Sequence, residues 1–347
     1  FVAAFSGSTG EELWRFNTVP KAGEPGADTW DKFNTDWGGG GTWMNGTYDP
    51  ELNLVYWPTG NPWPDYYTGE RRGDNLYTCS VVALDVNTGK LRWYFQFMPG
   101  DYHDWDSQSI PVLVDADWKG KTRKLLLHPN RNGWFYVIDR VTGEFLNATP
   151  FVDRMNWAKG MDAKGRPIEI PGLVPNANGV KICPSVRGAS NWMSPSWNPD
   201  TKLLYVPTLE QCDVYSTSSQ KAESMLGFSG GGGEGIPSEP GQFYLRAIDY
   251  RTGKRVWEYP MPGPGTMWAG TVSTAGGVVF FGDDDGNLVA VDATQGKHLW
   301  HYAMGQKLTA SPVTFEAGGK QYVAISAGTE IYAFGLFEPV KPVPVIR

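Results

Sequence analysis

Apolar and polar positions alternate along this chain in short bursts of strand length. The bursts return around one unit, Ala/Val-x-Asp-x-x-Thr-Gly-x-x-x-Trp. The cleanest copy runs from Ala83 through Asp85, Thr88 and Gly89 to Trp93, and others run Ala247 to Trp257 and Ala290 to Trp300. Two weaker copies run Ala4 to Trp14, with Ser6 in the Asp place, and Val137 to Asn147, with Asn147 in the Trp place. The alternation before each Asp, as in Leu288-Val289-Ala290-Val291, predicts a strand with buried faces. The Asp accepts from backbone amides ahead of it and the Gly supplies a positive φ, which together close a hairpin. The Trp on the next strand is large enough to fill the gap between neighbouring sheets. One such hairpin cannot bury its own faces, so the copies must stack. Radial stacking of four-stranded sheets predicts an all-β fold, a β-propeller.

The copies are unevenly spaced. The interval from Val137 to Ala247 exceeds a typical blade of ~40–50 residues. It holds a diverged strand pair at Asn198–Pro207 and a Gly-rich run from Ser229 to Gly235, which predicts one or two degenerate blades with a long inserted loop. A similar pair lies at Tyr48–Trp57. The whole reads as one propeller domain over 1–337 with a short tail at 338–347.

Composition narrows the function classes. With 43 Gly, 26 Pro and 16 Trp in 347 residues, the chain has no helical periodicity long enough for a second domain. A net charge of −7 argues against a nucleic-acid surface. No apolar run approaches the roughly 20 residues of a membrane helix. The chain starts at Phe1 inside a strand and without Met, so it reads as a piece of a longer protein. Three cysteines show no metal spacing; Cys183 and Cys212 are placed to bridge, leaving Cys79 as a buried thiol in a strand. There is no Cys-x-x-Cys-His for covalent haem and no His-Glu-x-x-His for zinc. The Gly runs at Gly38–Gly41 and Ser229–Gly235 lack a phosphate-loop lysine and are expected to be turns. Asp283-Asp284-Asp285-Gly286 lacks the ligand order of a calcium loop and is expected to be a hairpin turn.

Outside the repeat, polar residues crowd around aromatic ones in four places. These are Gly38 to Trp43 with Thr59-Gly60-Asn61-Pro62, then Asp101-Tyr102-His103-Asp104-Trp105-Asp106, then Asn130-Arg131-Asn132-Gly133, and Gly188 to Trp192. Each stands where a strand begins or ends, the position that faces the mouth of a propeller's central channel.

These interleaved segments, in this order and spacing, resemble the quinoprotein alcohol dehydrogenases of the methanol/ethanol type. That family carries pyrroloquinoline quinone (PQQ) and a metal ion at the axis of an eight-bladed ring, of which this chain would cover about five to six blades. The resemblance implies that Asn61 and Asp104 are metal ligands, with Trp43 as the floor under the PQQ ring. Asp104 matches the catalytic base, with His103 where the family usually has Trp. Arg131 matches the Arg that bonds the reactive quinone oxygens, Asn191 a residue on the cofactor rim, and Trp268 a cofactor-lining segment. Cys183 and Cys212 match a family disulfide, which implies an oxidising, periplasmic compartment. The implied reaction oxidises a primary alcohol to an aldehyde. Asp104 removes the hydroxyl proton as hydride passes to PQQ, and the metal acts as Lewis acid. Electrons then leave to a separate cytochrome c.

Three departures qualify the match. The family's glutamate metal ligand falls upstream of Phe1, so either a further segment or second chain supplies the missing blades or the remaining blades close a smaller ring. Asp106 stands where lanthanide-using relatives carry an extra carboxylate, so the ion is expected to be calcium or a lanthanide. Gly41 stands where the family places a cofactor-binding Thr, with Thr42 next to it. The rival reading is a non-catalytic propeller scaffold or binding protein, which would need the repeats but not Asn61, Asp104 and Arg131 in matched order.

Overall fold

Alternation becomes sheet throughout the computed structural model of the chain, which describes residues 1–31, 38–66, 71–217, 232–263 and 265–336. Six antiparallel sheets follow one another in chain order. The first pairs β1 (Val2–Phe5) with β2 (Glu12–Phe16). The second contains β3 (Thr47–Asp49), β4 (Leu54–Pro58), β5 (Ser80–Asp85) and β6 (Leu91–Gln96), and the third β7 (Val112–Trp118), β8 (Lys121–Pro129), β9 (Trp134–Asp139) and β10 (Phe145–Pro150). A small hairpin, β11 (Ala158–Met161) with β12 (Pro167–Glu169), and the strand β13 (Val180–Ile182) then leave the main ring.

The fourth main sheet is assembled from β14 (Ser196–Asn198), β15 (Leu203–Glu210), β18 (Gln242–Asp249) and β19 (Arg255–Pro260). Between β15 and β18 the chain makes an excursion through β16 (Asp213–Thr217) and β17 (Gly233–Pro237), which pair with β13 in a side sheet. The long interval therefore holds one blade and an insert. The fifth sheet is β20 (Thr271–Ser273), β21 (Val278–Gly282), β22 (Asn287–Asp292) and β23 (His298–Ala303). The sixth is β24 (Val313–Ala317), β25 (Lys320–Ala327) and β26 (Glu330–Gly335). This is the β-propeller that the repeat predicts. The tail at 338–347, and Ser229 to Gly231 of the second Gly run, lie outside the described residues.

Each repeat turn forms as expected. Asp85 Oδ1 accepts from the amides of Asn87 (3.2 Å) and Thr88 (3.0 Å), and the Gly89 amide donates to the Asp85 carbonyl (2.8 Å). Asp139, Asp249 and Asp292 do the same in their turns. The repeat Trp then reaches the turn of the next sheet. Trp14 donates to the Val86 carbonyl, Trp93 to that of Arg140 and Trp257 to that of Ala293. Under each indole lies the turn glycine: a Cβ on Gly89, Gly143 or Gly296 would fall within 2.8 Å of the ring. Those glycines thus serve twice, through their positive φ and through the missing side chain. Where Asn147 replaces Trp, Thr149 occupies the socket, 2.4 Å from a Cβ on Gly253.

Two expectations about glycine runs are corrected. Gly38–Gly41 forms no local turn: Gly39 and Gly40 take positive φ (84° and 64°), Gly39 is bridged to Pro62, and the Gly60 amide donates to the Gly41 carbonyl at 2.7 Å. Gly233 and Gly235 lie in β17. Both runs pair with segments distant in sequence, and no local apolar alternation announces that pairing. Asp283 does close a hairpin turn, accepting from the amides of Asp285 and Asn287. Cys79 is buried as expected, one residue before β5 rather than within it.

Candidate active site

Four connections bring the polar segments together, and glycine makes the approach possible. Gly60 has no Cβ because Asp106 Oδ1 would lie 2.4 Å from one. In that space the Asn61 amide donates to Asp106 Oδ1 at 2.7 Å. The Asn61 side-chain amide donates to Asp65 at 2.7 Å and to the Pro62 carbonyl, leaving its own oxygen for another partner. Gly188 lies equally close to Arg131, whose Cβ would be 2.6 Å from a Cβ there.

Arg131 sits in the turn between β8 and β9, with Nη1 donating to Asp106 Oδ2 at 3.0 Å. Nη2 donates to the Val186 carbonyl and lies 3.9 Å from Asp104 Oδ2. Asp139 does not compete for Arg131; it faces Arg123 at 3.6 Å. The Val186 amide is itself held by Asp213 at 2.8 Å. Below this cluster Trp105 is fully buried, donates to the Ser185 carbonyl and stacks on His103 at 3.9 Å between ring centroids. The disulfide Cys183–Cys212 anchors the segment that carries Ser185 and Val186.

Negative charge dominates here. Burial pushes the carboxyl of Asp104 well above the usual carboxylate range; Arg131 opposes the shift, while Asp106, Asp65 and Asp101 add to it. Burial raises Asp106 as well, against Arg131, the Asn61 amide and the Trp43 side chain. Burial works against the charge on Arg131, yet Asp104 and Asp106 outweigh it and hold the guanidinium above its ordinary value. A cation beside these oxygens would relieve the crowding.

The structure therefore brings Asn61, Asp104, Asp106, Arg131 and Trp43 into one cluster. Trp43 is half exposed (51%), a free indole face beside the acids. Trp268 belongs to a neighbouring wall, stacked on Trp192 at 5.5 Å with the Arg187 guanidinium over it at 4.6 Å. Asn191 is turned inward: its amide donates to the Arg187 carbonyl and its oxygen accepts from the Trp192 amide. Sequence reasoning gave no role to Asp65 and Arg187, which carry no motif of their own, nor to Asp101, although it opens the Asp101–Asp106 run. Asp65, four residues after Asn61, had only its spacing as a signal.

The donor set fits the implied groups. Asn61, Asp104 and Asp106 offer only oxygen, the preference of calcium and similar hard cations. Among the described residues no three or more His, Cys, Asp or Glu are grouped so as to hold a metal ion by themselves. Several buried polar atoms around the mouth have no partner: Gln108 Oε1, Arg131 Nε, Ser185 Oγ, Arg187 Nε and Ser190 Oγ. Orphans of this kind mark a place for a polar ligand, because each otherwise costs about 1–3 kcal/mol.

Comparison with known proteins agrees. The family profile described as PQQ glucose/ethanol/alcohol dehydrogenase, β-propeller domain, matches residues 1–155 and 265–323. A quinohemoprotein alcohol dehydrogenase of Pseudomonas putida is 38% identical over 94% of this chain and 50% of its own length. A lanthanide-dependent methanol dehydrogenase of Methylacidiphilum fumariolicum is 36% identical over 94% of this chain and 57% of its own. The crystal structure of the quinohemoprotein alcohol dehydrogenase of Comamonas testosteroni superposes with a TM-score of 0.86 at 35% identity, covering 94% of this chain and 52% of that one. A europium-containing methanol dehydrogenase gives a TM-score of 0.82 at 34% identity, covering 93% and 60%. The chain spans about half the length of the curated relatives it matches.

Proposed function

Because the chain belongs to the PQQ-dependent quinoprotein alcohol dehydrogenases, we propose that it forms most of the active site of an enzyme that oxidises a primary alcohol to its aldehyde. The observation that carries this reading is the convergence of Asp104, Asp106 and Asn61 beside Arg131. Asn61, Asp104 and Asp106 would hold a calcium or lanthanide ion, and the Trp43 face and Trp268 would meet PQQ; Asn191 would reach its rim only by giving up its bonds to Arg187 and Trp192. When bound, PQQ supplies a hydride acceptor and the ion a Lewis acid.

The chain's own residues supply position and proton transfer. Asp104, kept ionised by Arg131 and a bound cation, would take the hydroxyl proton of the alcohol. Arg131, held charged by the two acids, donates to the oxygen on which charge grows. A separate cytochrome c would accept the electrons. The disulfide supports a periplasmic setting. The exposed Leu299, Trp300, Tyr302 and Phe315 of the last two sheets support a further segment or second chain covering that end.

The test is alcohol-dependent dye reduction by the protein incubated with PQQ and either calcium or a lanthanide, with Asp104→Asn alongside. Turnover that needs both additions and falls at least about 100-fold in the variant is expected, the scale of general-base catalysis. No turnover, in this chain or with a relative-length N-terminal segment restored, would make the propeller a scaffold.

A further inference from the structure

Asp104 is one of six described residues other than glycine with a positive φ, at 60°. This left-handed conformation costs an L-residue roughly 1–2 kcal/mol, and Asp tolerates it better than most. Something must hold it, and the contacts around it name the holder. Asp101 is fully buried. Its Oδ1 accepts from the His103 amide at 3.1 Å and its Oδ2 from the Trp105 amide at 2.9 Å. One carboxylate thus grips the backbone amides of the residues on both sides of Asp104. The His103 ring closes the grip from the side, with Nδ1 3.2 Å from Asp101 Oδ1. Asp101 is in turn fixed through its own carbonyl, which accepts from the buried Arg71 at 2.5 Å. Arg71 also donates twice to the Pro64 carbonyl. Arg71 thereby ties the acid loop to the segment that carries Asn61 and Asp65.

We infer that Asp101 is a positioning residue: its carboxylate sets the left-handed turn that aims Asp104 at the substrate and at Arg131. The inference rests on the catalytic reading above. Both oxygens are needed, since each serves a different amide. In Asp101→Asn one of them becomes an NH2 group facing a backbone N–H, and the turn loses half its support. The side chain of Asp104 keeps its chemistry but loses its aim.

The experiment compares wild type, Asp101→Asn, Asp104→Asn and the double variant, each loaded with PQQ and calcium or a lanthanide. Asp101→Asn is expected to lower kcat about 10- to 100-fold, the cost of misplacing a reacting group by about 1 Å, with KM changed less than about two-fold. In the Asp104→Asn background the same substitution is expected to change kcat less than about two-fold, because its effect passes through Asp104. Hydrogen–deuterium exchange of the unloaded protein gives a reading independent of turnover. The His103 and Trp105 amides should be protected in wild type and exchange at least about ten-fold faster in Asp101→Asn. Unchanged protection, an undiminished kcat or equal losses in both backgrounds would overturn the positioning role. A wild type that stays inactive even with the N-terminal segment restored, but whose amides nonetheless respond, would overturn the catalytic reading while leaving the structural grip in place.

Discussion

His128, on β8 beneath the Arg131 turn, is buried with its ring stacked on Phe97 at 4.3 Å and its Nε2 beside the Asn130 amide. Burial alone pushes its pKa from 6.5 down to about 3. The unfolded chain therefore takes up this proton near pH 6.5 and the folded chain near 3. The stabilisation is complete above the unfolded value and is lost as pH falls from there toward the folded one, by about 1.4 kcal/mol per unit. Urea unfolding at about pH 7.5 and 5.5 should show wild type losing about 1.4 kcal/mol more than His128→Gln; equal losses would mean the ring is solvated. At this scale the site was legible where a residue stood in a run with others, as Asn61, Asp104 and Arg131 do. Asp65 was not legible, because it stands alone in its loop, and Asp101, though it opens the acid run, gives no sign in sequence of which amides it will bind. Asn191 lies at the expected place, but its side chain is spent on its own loop.

The joint between neighbouring sheets is where an element's sequence most directly becomes stability. Gly143→Ala would place a methyl 2.8 Å from the Trp93 ring at a φ of 79°. Left-handed strain and overpacking together should cost about 2–4 kcal/mol. Gly10→Ala is the matched control: its φ is 75°, but nothing lies within 4 Å of the new methyl. It should cost only about 1–2 kcal/mol. Chemical denaturation of both variants measures the difference, and equal losses would show that the indole contact adds nothing. The strands, their turns and the role of Trp as gap filler were readable from Asp85, Gly89 and Trp93. The second role of the glycine was not, since the ring that needs the space comes from another sheet. Gly38–Gly41 failed for the same reason: its partner, Asn61 to Trp63, is set by tertiary pairing.

Across the whole molecule, the excess of acid at the channel mouth makes stability depend on what binds there. PQQ with calcium or a lanthanide at about 100 times the dissociation constant should add about 2.7 kcal/mol, read as a rise in Tm. Chelation should reverse the gain and Asp106→Asn should remove most of it; a gain unaffected by Asp106→Asn would place the ion elsewhere. The ring itself was legible at this scale from five imperfect copies of one unit. The insert was expected only as a long loop; its strands β16 and β17 were not legible, because they carry no copy. Within one repeat, Gly89 receives Trp14 from the sheet before, and Trp93, four residues on, enters Gly143 of the sheet after. Both halves of the joint are thus encoded in one short stretch of gene. Duplicating that stretch together with its blade would insert a new member already fitted on both sides, so rings of this kind can grow or shrink by recombination without inventing an interface.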